Sequence, residues 1–170
     1  IAARKSRDEE GDGDLLDLVI EAEADGALDA LEVRNNLLGF LFAGHETTAL
    51  SLTWALYLLA LDQQVQARAR AEIEAVCGDR APGIEDVMKL TYLRQVLDEP
   101  LRLYPPAGFL TRTAREADVV AGHKIRPGGT VILPVYAIHR HALLWDDPHR
   151  FDPDRFAPER AKQIPRGAYL

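Results

Sequence analysis

The chain has 170 residues, and its 27 acidic side chains against 20 basic ones give a formal net charge of −7. This acidic balance excludes proteins that bind nucleic acid through clustered basic side chains. The only cysteine, Cys77, excludes an internal disulfide framework and favours a reducing compartment. Because the composition is acidic and rich in Ala, Arg and Asp, we expect a soluble, cytoplasmic, bacterial-type protein. Since the chain opens on Ile1 and closes in loop-like sequence, we expect residues 1–170 to form a partial domain, truncated at both ends.

The first part of the chain is predicted to be helical, apart from a charged, linker-like segment at residues 1–14. A short helix is expected from Leu15 to Ala24. The spacing of Asp29 and Glu32 is typical of a capping pair and predicts a long helix over residues 30–61. Such a helix spans on the order of 45 Å. Because a rod of this length usually forms the spine of a domain, we expect it to be central and buried.

The second part of the chain changes from helical patterns to short β-prone runs. Further helices are predicted at residues 63–77 and 92–103, ended by Gly78 and by a Pro-Pro pair respectively. Short strands are expected within residues 118–134, separated by glycine-containing turns, and the rest is mostly coil. The predicted fold class is therefore mainly α with a small β region.

The apolar run from Leu37 to Leu61 is long enough for a transmembrane helix. Glu46 lies inside that run, and a carboxylate near a bilayer centre costs about 2.5–3.5 kcal/mol on insertion scales. A buried helix of a soluble enzyme is therefore the favoured interpretation, with a non-enzymatic helical membrane or interaction protein as the alternative.

The run Ala-Gly-His-Glu-Thr-Thr at residues 43–48 places polar groups and a glycine inside this apolar helix. Buried polar groups cost several kcal/mol unless paired, so the cluster suggests a functional site. A zinc-protease motif needs a second histidine where Ala49 stands, which excludes that motif. His139 and His141 flank an arginine and are expected to be solvated in a surface turn, so we predict no metal site within the chain.

Glu99 and Arg102 are spaced to share one helix face, which we expect to lie opposite the apolar stripe of that helix. A surface salt bridge is the simplest interpretation. The downstream run Phe-Asp-Pro-Asp-Arg-Phe contains Arg155, whose guanidinium can dock on Glu99 and brace a coil against the helix. Pro100 lies between the two helix residues, and we expect a local kink that leaves both side chains on one face.

These motifs, in this order and with the intervening strands, resemble the cytochrome P450 superfamily of haem-thiolate monooxygenases. The resemblance extends over essentially the whole chain and implies part of the cytochrome P450 fold, with haem b as the cofactor. It implies that the long helix lies across one face of the haem, with Ala43, Gly44 and Thr48 against the cofactor. Glu46 and Thr47 are then the catalytic pair, because an acid and an alcohol can relay protons to oxygen. The alternative for Thr47 is a bond back to a helix carbonyl, which bends the helix.

The resemblance also implies that Arg112 pairs with a haem propionate, and that Ala107 to Leu110 lie beside the substrate. The alternative for Arg112 is a charge at a strand edge. Glu99, Arg102 and Arg155 are structural residues in this family. The cysteine ligand is expected after Leu170, because Cys77 precedes Glu99 and is better explained as an ordinary cysteine.

The function implied is insertion of one oxygen atom from dioxygen into a hydrophobic small molecule. Electrons would come from a flavin or iron–sulfur partner, because peroxide-driven members generally lack the acid–alcohol pair. This 170-residue piece alone is expected to be inactive. A haem-free relative of the family is the second alternative.

Overall fold

The computed structural model describes residues 13–170, so all but the last two residues of the predicted linker lie outside the described part of the chain. The chain divides into two compact units, one ending at Thr48 and the other beginning at Ala49, and the boundary falls inside the long helix. Each unit is described by itself.

In the first unit, two helices begin at acidic caps. Helix α1 covers Leu15–Ala24, and helix α2 covers Ala30–Leu61, with its first part in this unit. The Asp29 carboxylate accepts hydrogen bonds from the second and third amides of α2, and Glu32 accepts one from the Asp29 amide at 2.8 Å. The predicted capping pair is confirmed, and it accounts for the observed start of α2.

The expectation that α2 is buried is wrong for the middle of the helix, although Val33, Ala55 and Leu58 are buried. All residues from Leu38 to Leu50 are exposed, including Phe42 at 73% of its full accessibility. An apolar sequence makes a helix suitable for burial, but burial also requires neighbouring atoms, which the described residues do not supply along this stretch. Among the described helices, none is long and apolar enough to cross a membrane.

The second unit is organised around helices α3, Gln63–Cys77, and α4, Thr91–Leu103. Asp62 caps α3 by accepting from the amides of Gln64 and Val65. The α4 N-terminus has no cap on its own segment and is capped instead from α3. The Glu72 carboxylate accepts from the Tyr92 and Leu93 amides at 2.7 and 2.8 Å.

Two antiparallel strand pairs follow α4 in the second unit. Strand β1, Leu110–Thr113, pairs with β4, Thr130–Leu133, and strand β2, Asp118–Val120, pairs with β3, His123–Ile125. The predicted β region began too late, because β1 starts before residue 118. All four β1 residues are exposed, so this strand lacks the alternating apolar pattern that marks a half-buried strand.

The rest of the chain folds back on α4 with little regular structure. It contains a short helix α5 at Val135–Ile138, a 3₁₀ helix at Pro153–Phe156 and a last turn, α6, at Pro158–Ala161. The 3₁₀ helix packs on α4, and it carries Arg155 into the interior.

Candidate functional site

The segment 43–48 forms unbroken α-helix. The Thr47 hydroxyl donates a hydrogen bond to the Ala43 carbonyl one turn earlier, at 2.5 Å. The helix-bonding alternative therefore describes this structure. The hydroxyl proton lies along the helix, while the oxygen lone pairs of Thr47 keep the capacity to accept a proton.

The face around Gly44 is open. A β-carbon added at Gly44 would meet no described atom within 4 Å. Another face of the same stretch carries a hollow of about 440 Å³, lined by Leu41, Phe42, His45 and Glu46. A shallow apolar surface with one carboxylate at its edge can receive a flat, largely apolar molecule.

Glu46 and Thr47 are neighbours in sequence, and successive side chains of an α-helix point about 100° apart. Such neighbours do not face each other. A proton passing from the Glu46 carboxyl to the Thr47 hydroxyl therefore requires a bridging water or a locally opened helix.

Arg112 lies on β1 and is exposed. Its guanidinium donates to the adjacent Thr111 carbonyl at 2.7 Å, and no ion pair involves it within residues 13–170. The strand-edge position is observed. The charge is nevertheless free to pair with a carboxylate presented from outside.

The Arg102 side chain lies at the centre of a buried ionic core. Its Nε and Nη2 donate to the two Glu99 carboxylate oxygens at 2.7 and 2.8 Å. The remaining donors bind main-chain carbonyls at 2.7, 2.7 and 3.2 Å, those of His139, Pro148 and Arg150. All five guanidinium donors are therefore satisfied.

Arg155 completes this core from the 3₁₀ helix. Its Nε donates to Glu99 Oε1 at 3.2 Å, and its Nη2 donates to the Asp147 carbonyl. The Asp152 amide also donates to Glu99 Oε1, at 3.0 Å. The predicted docking of Arg155 on Glu99 is confirmed, and one carboxylate thereby links α4 to the coil.

The expectation that Glu99 and Arg102 occupy an exposed helix face is wrong. Both side chains are fully buried, whereas Leu97, one of the apolar residues at positions 93, 96, 97, 101 and 104 that form the predicted stripe, is 42% exposed. Burying charges is costly unless they are paired and hydrogen-bonded, and here every guanidinium donor has a partner. Pro100 lies between them and the two side chains share one face, as predicted.

The expectation that His139 is solvated is also wrong, whereas His141 is exposed. The Leu170 amide donates to His139 Nε2 at 3.0 Å, and Nδ1 lies 3.2 Å from the Arg102 carbonyl. Because an amide only donates and a carbonyl only accepts, the ring is neutral with its proton on Nδ1. Burial lowers the pKa of His139, and the charges of Arg102 and Arg140 lower it further. Both hydrogen-bond partners are distant in sequence, so no local signal marks this residue.

Cys77 is a free thiol buried at the C-terminus of α3, in agreement with its interpretation as an ordinary cysteine. Within residues 13–170, no group of three or more His, Cys, Asp or Glu side chains could hold a metal ion.

Comparison with known proteins gives the same family as the motifs. The cytochrome P450 family model matches residues 2–170. The chain belongs to the cytochrome P450 family. It is 40% identical over 169 residues to cyclooctatin synthase of Streptomyces melanosporofaciens, with 98% of this chain and 37% of that protein covered.

Two further relatives have similar coverage. Cyclooctat-9-en-7-ol 5-monooxygenase of the same organism is 42% identical, over 93% of this chain and 35% of the relative. Putative cytochrome P450 132 of Mycobacterium tuberculosis is 38% identical, over 92% of this chain and 34% of the relative. The chain thus spans about a third of the length of the curated relatives that it matches.

Haem b is the cofactor of the full-length protein, as in its family. The described residues fit the haem in two respects. The open face at Gly44 has room for a flat macrocycle, and the exposed Arg112 guanidinium has the charge that pairs with a propionate. Cys77 would not hold the group, because its thiol is buried at the C-terminus of α3.

Proposed function

We propose that the full-length protein is a haem-thiolate monooxygenase that inserts one oxygen atom of dioxygen into a hydrophobic organic molecule. The observation that carries this proposal is the acid–alcohol pair Glu46-Thr47, placed two residues after Gly44 in a cytochrome P450 chain. The proton-relay motif favours the route that uses dioxygen and electrons over the route that uses peroxide. The electrons would come from a flavin or iron–sulfur protein.

Haem, when bound, supplies the iron at which dioxygen is reduced. The chain's own contribution is proton delivery and binding. Glu46 stands at the edge of an open hollow, where its carboxyl can exchange protons with solvent. Thr47 presents its oxygen lone pairs while donating to Ala43, so it can accept a proton from a bridging water and release its own.

The same proposal gives the binding residues their roles. Ala43, Gly44 and Thr48 would contact the macrocycle, and Arg112 would pair with a propionate. Ala107 to Leu110 would lie beside the substrate. The thiolate would come from residues after Leu170, a proposal supported by the burial of Cys77 and by the extra length of the relatives.

The substrate class is proposed to be a hydrophobic small molecule. One relative is named as a monooxygenase of cyclooctat-9-en-7-ol, an unsaturated alcohol. Bacterial relatives and the acidic composition support a cytoplasmic, bacterial-type enzyme.

The first test is a carbon monoxide difference spectrum of the reduced full-length protein, in which we expect a thiolate-type Soret band. Haem absorbance without the thiolate-type band would exclude thiolate ligation. A protein with no haem absorbance at all would be a haem-free relative. Either outcome would overturn the proposal.

The second test separates the role of Thr47 from its helix bond. Thr53 makes the same bond to the carbonyl four residues before it, six residues further along α2, donating to Ala49 at 2.7 Å, and is also exposed. We expect Thr47→Val to lower the rate of product formation by about 10²-fold, the low end of the usual contribution of a proton-transfer group. Thr53→Val should match the parent. Equal effects of the two substitutions would remove Thr47 from the chemistry.

A further inference from the structure

The last three residues of the chain are held against α4 by contacts of three kinds. Ala168 is buried, and the Tyr169 hydroxyl lies 3.2 Å from the Asp98 carbonyl. The Leu170 amide donates to Nε2 of His139 at 3.0 Å. The imidazole therefore fixes the main chain at Leu170.

The same imidazole is joined twice to the ionic core. Its Nδ1 donates to the Arg102 carbonyl at 3.2 Å, and the His139 carbonyl accepts from Arg102 Nη1 at 2.7 Å. Arg102 is itself fixed by Glu99. A continuous set of hydrogen bonds thus runs from the Glu99–Arg102 pair through one ring to the Leu170 amide.

We propose that neutral His139 is a positioning residue that transmits the placement of Arg102 to the backbone at Leu170. It thereby sets where the following segment presents its thiolate to the haem. This inference rests on the proposed function for the thiolate and goes beyond it, because it assigns the coupling to one side chain. His139 touches neither substrate nor haem in this assignment.

The bond to Leu170 requires an unprotonated Nε2. Protonation would turn Nε2 into a donor facing the donor N–H of Leu170. The charged groups around the ring do not favour that form. Arg102 faces it from α4, Arg140 follows it in the chain, and the third neighbour is the uncharged Tyr169 ring, with its centroid at 5.2 Å.

The nearby carboxylates are engaged elsewhere. Glu99 binds Arg102 and Arg155, and Asp98 accepts from Tyr169. No carboxylate among residues 13–170 forms an ion pair with His139. Because burial lowers the pKa of His139, the ring is neutral and the bond is intact at neutral pH. The bond's contribution to stability declines as the pH falls below the unfolded-state pKa of about 6.5, and the bond itself is lost as the pH falls through the lower pKa of the folded state.

Two substitutions in the full-length haem protein separate the two bonds of the ring. The amide nitrogen of His139→Asn reaches the Nδ1 position and keeps the donor, but the variant loses the acceptor for Leu170. The amide oxygen of His139→Gln reaches the Nε2 position and keeps that acceptor. His149→Gln is the matched control, because His149 is an exposed histidine of the same coil.

Two readouts are measured from pH 8 to pH 5: protection of the Leu170 amide against hydrogen–deuterium exchange, and the thiolate-type fraction in the carbon monoxide difference spectrum. We expect His139→Asn to lose at least tenfold in protection and much of the thiolate fraction at pH 7. His139→Gln should retain the Leu170 protection and the thiolate-type fraction across the whole pH range. In the parent and in His149→Gln, both quantities should decline as the pH falls.

The inference is overturned if His139→Asn equals His149→Gln in both readouts, and a normal parent spectrum would then leave the proposed function standing. If His139→Asn does not fold, the pH profiles of the parent and His139→Gln decide. The inference is also overturned if amide protection and thiolate fraction decline in acid to the same extent in these two proteins. A parent without the thiolate band would overturn the proposed function and with it the assignment of a role toward the thiolate.

Discussion

Two groups of polar side chains in this protein differ in what their atoms bind. On α2, residues 43–48 present a carboxylate and hydroxyls on an exposed helix, where Thr47 donates to its own helix. On α4, Glu99 and Arg102 are fully buried and bind main-chain groups far away in sequence. Polar groups of the second kind fix the fold, whereas those of the first kind lie on an exposed helix and are proposed to serve the chemistry.

The comparison also explains why charge alone is a poor guide to function. Glu46 and Glu99 are both glutamates within helices, but Glu99 accepts from two arginines and one amide. A carboxylate with so many fixed donors is held in place and serves the fold. Glu46 lines an open hollow instead, where it is proposed to serve the chemistry.

The largest expected effect is on the buried core. Arg102→Met should lower the free energy of unfolding of the full-length protein by about 3–5 kcal/mol, because it breaks a buried ion pair and leaves Glu99 Oε2 and three main-chain carbonyls without their donor. Urea denaturation measures this. Arg94→Met, on the same helix but with its side chain 78% exposed, should stay within about 0.5 kcal/mol of the parent. Equal effects would show that the core contributes no more than a surface charge.

A smaller effect is expected at the cap between helices. Glu72→Gln should cost about 1 kcal/mol, the usual value for losing a helix N-cap. Burial works to raise the pKa of Glu72, but hydrogen bonds from the start of α4 outweigh it and hold the pKa below its ordinary value.

The sign of the pH dependence follows from that shift. The Glu72 contribution is complete above the unfolded-state pKa near 4.5 and is lost as the pH falls through the lower folded-state value. The difference between parent and Glu72→Gln in urea should therefore shrink in acid. Glu74→Gln, an exposed control on the same helix, should show little change at any pH. A difference that is constant with pH would contradict the capping account.

The smallest expected stability change concerns the glycines of α2. Gly39→Ala and Gly44→Ala should each raise helix stability by about 0.4–1 kcal/mol, because both added β-carbons meet open space among the described residues. Thermal denaturation of the haem-free protein measures this.

Activity distinguishes the two glycines. Only Gly44→Ala should lower turnover of the haem-loaded enzyme, since of the two glycines only Gly44 is proposed to contact the macrocycle. Equal turnover in the two variants would leave Gly44 without a special role.

Local sequence signals predicted the helices well. The start of α2 follows from Asp29 and Glu32, and the start of α3 follows from Asp62, because each cap acts within three residues. The same signals failed for the buried face of α4. Its partners are carbonyls 46 and 48 residues further along the chain, and no periodicity of α4 itself contains them.

The site was predicted unevenly for the same reason. The contact between Glu99 and Arg155 could be anticipated because both ends are charged side chains with complementary geometry. The burial of His139 could not, because one of its partners is the Leu170 amide, and every residue except proline has such a group. Exposure of α2 likewise depends on which atoms surround the helix.

The way in which Arg102 holds the coil has a consequence for how this stretch tolerates change. It donates hydrogen bonds to the main-chain carbonyl oxygens of Pro148 and Arg150, which are present whatever side chains occupy these positions. Substitutions along this coil therefore leave these hydrogen bonds intact. A single-residue insertion or deletion between His139 and Pro148 would instead shift the main chain by up to about 3.5 Å and offer the guanidinium the wrong oxygen. For these hydrogen bonds, the number of residues in the coil matters more than which residues they are.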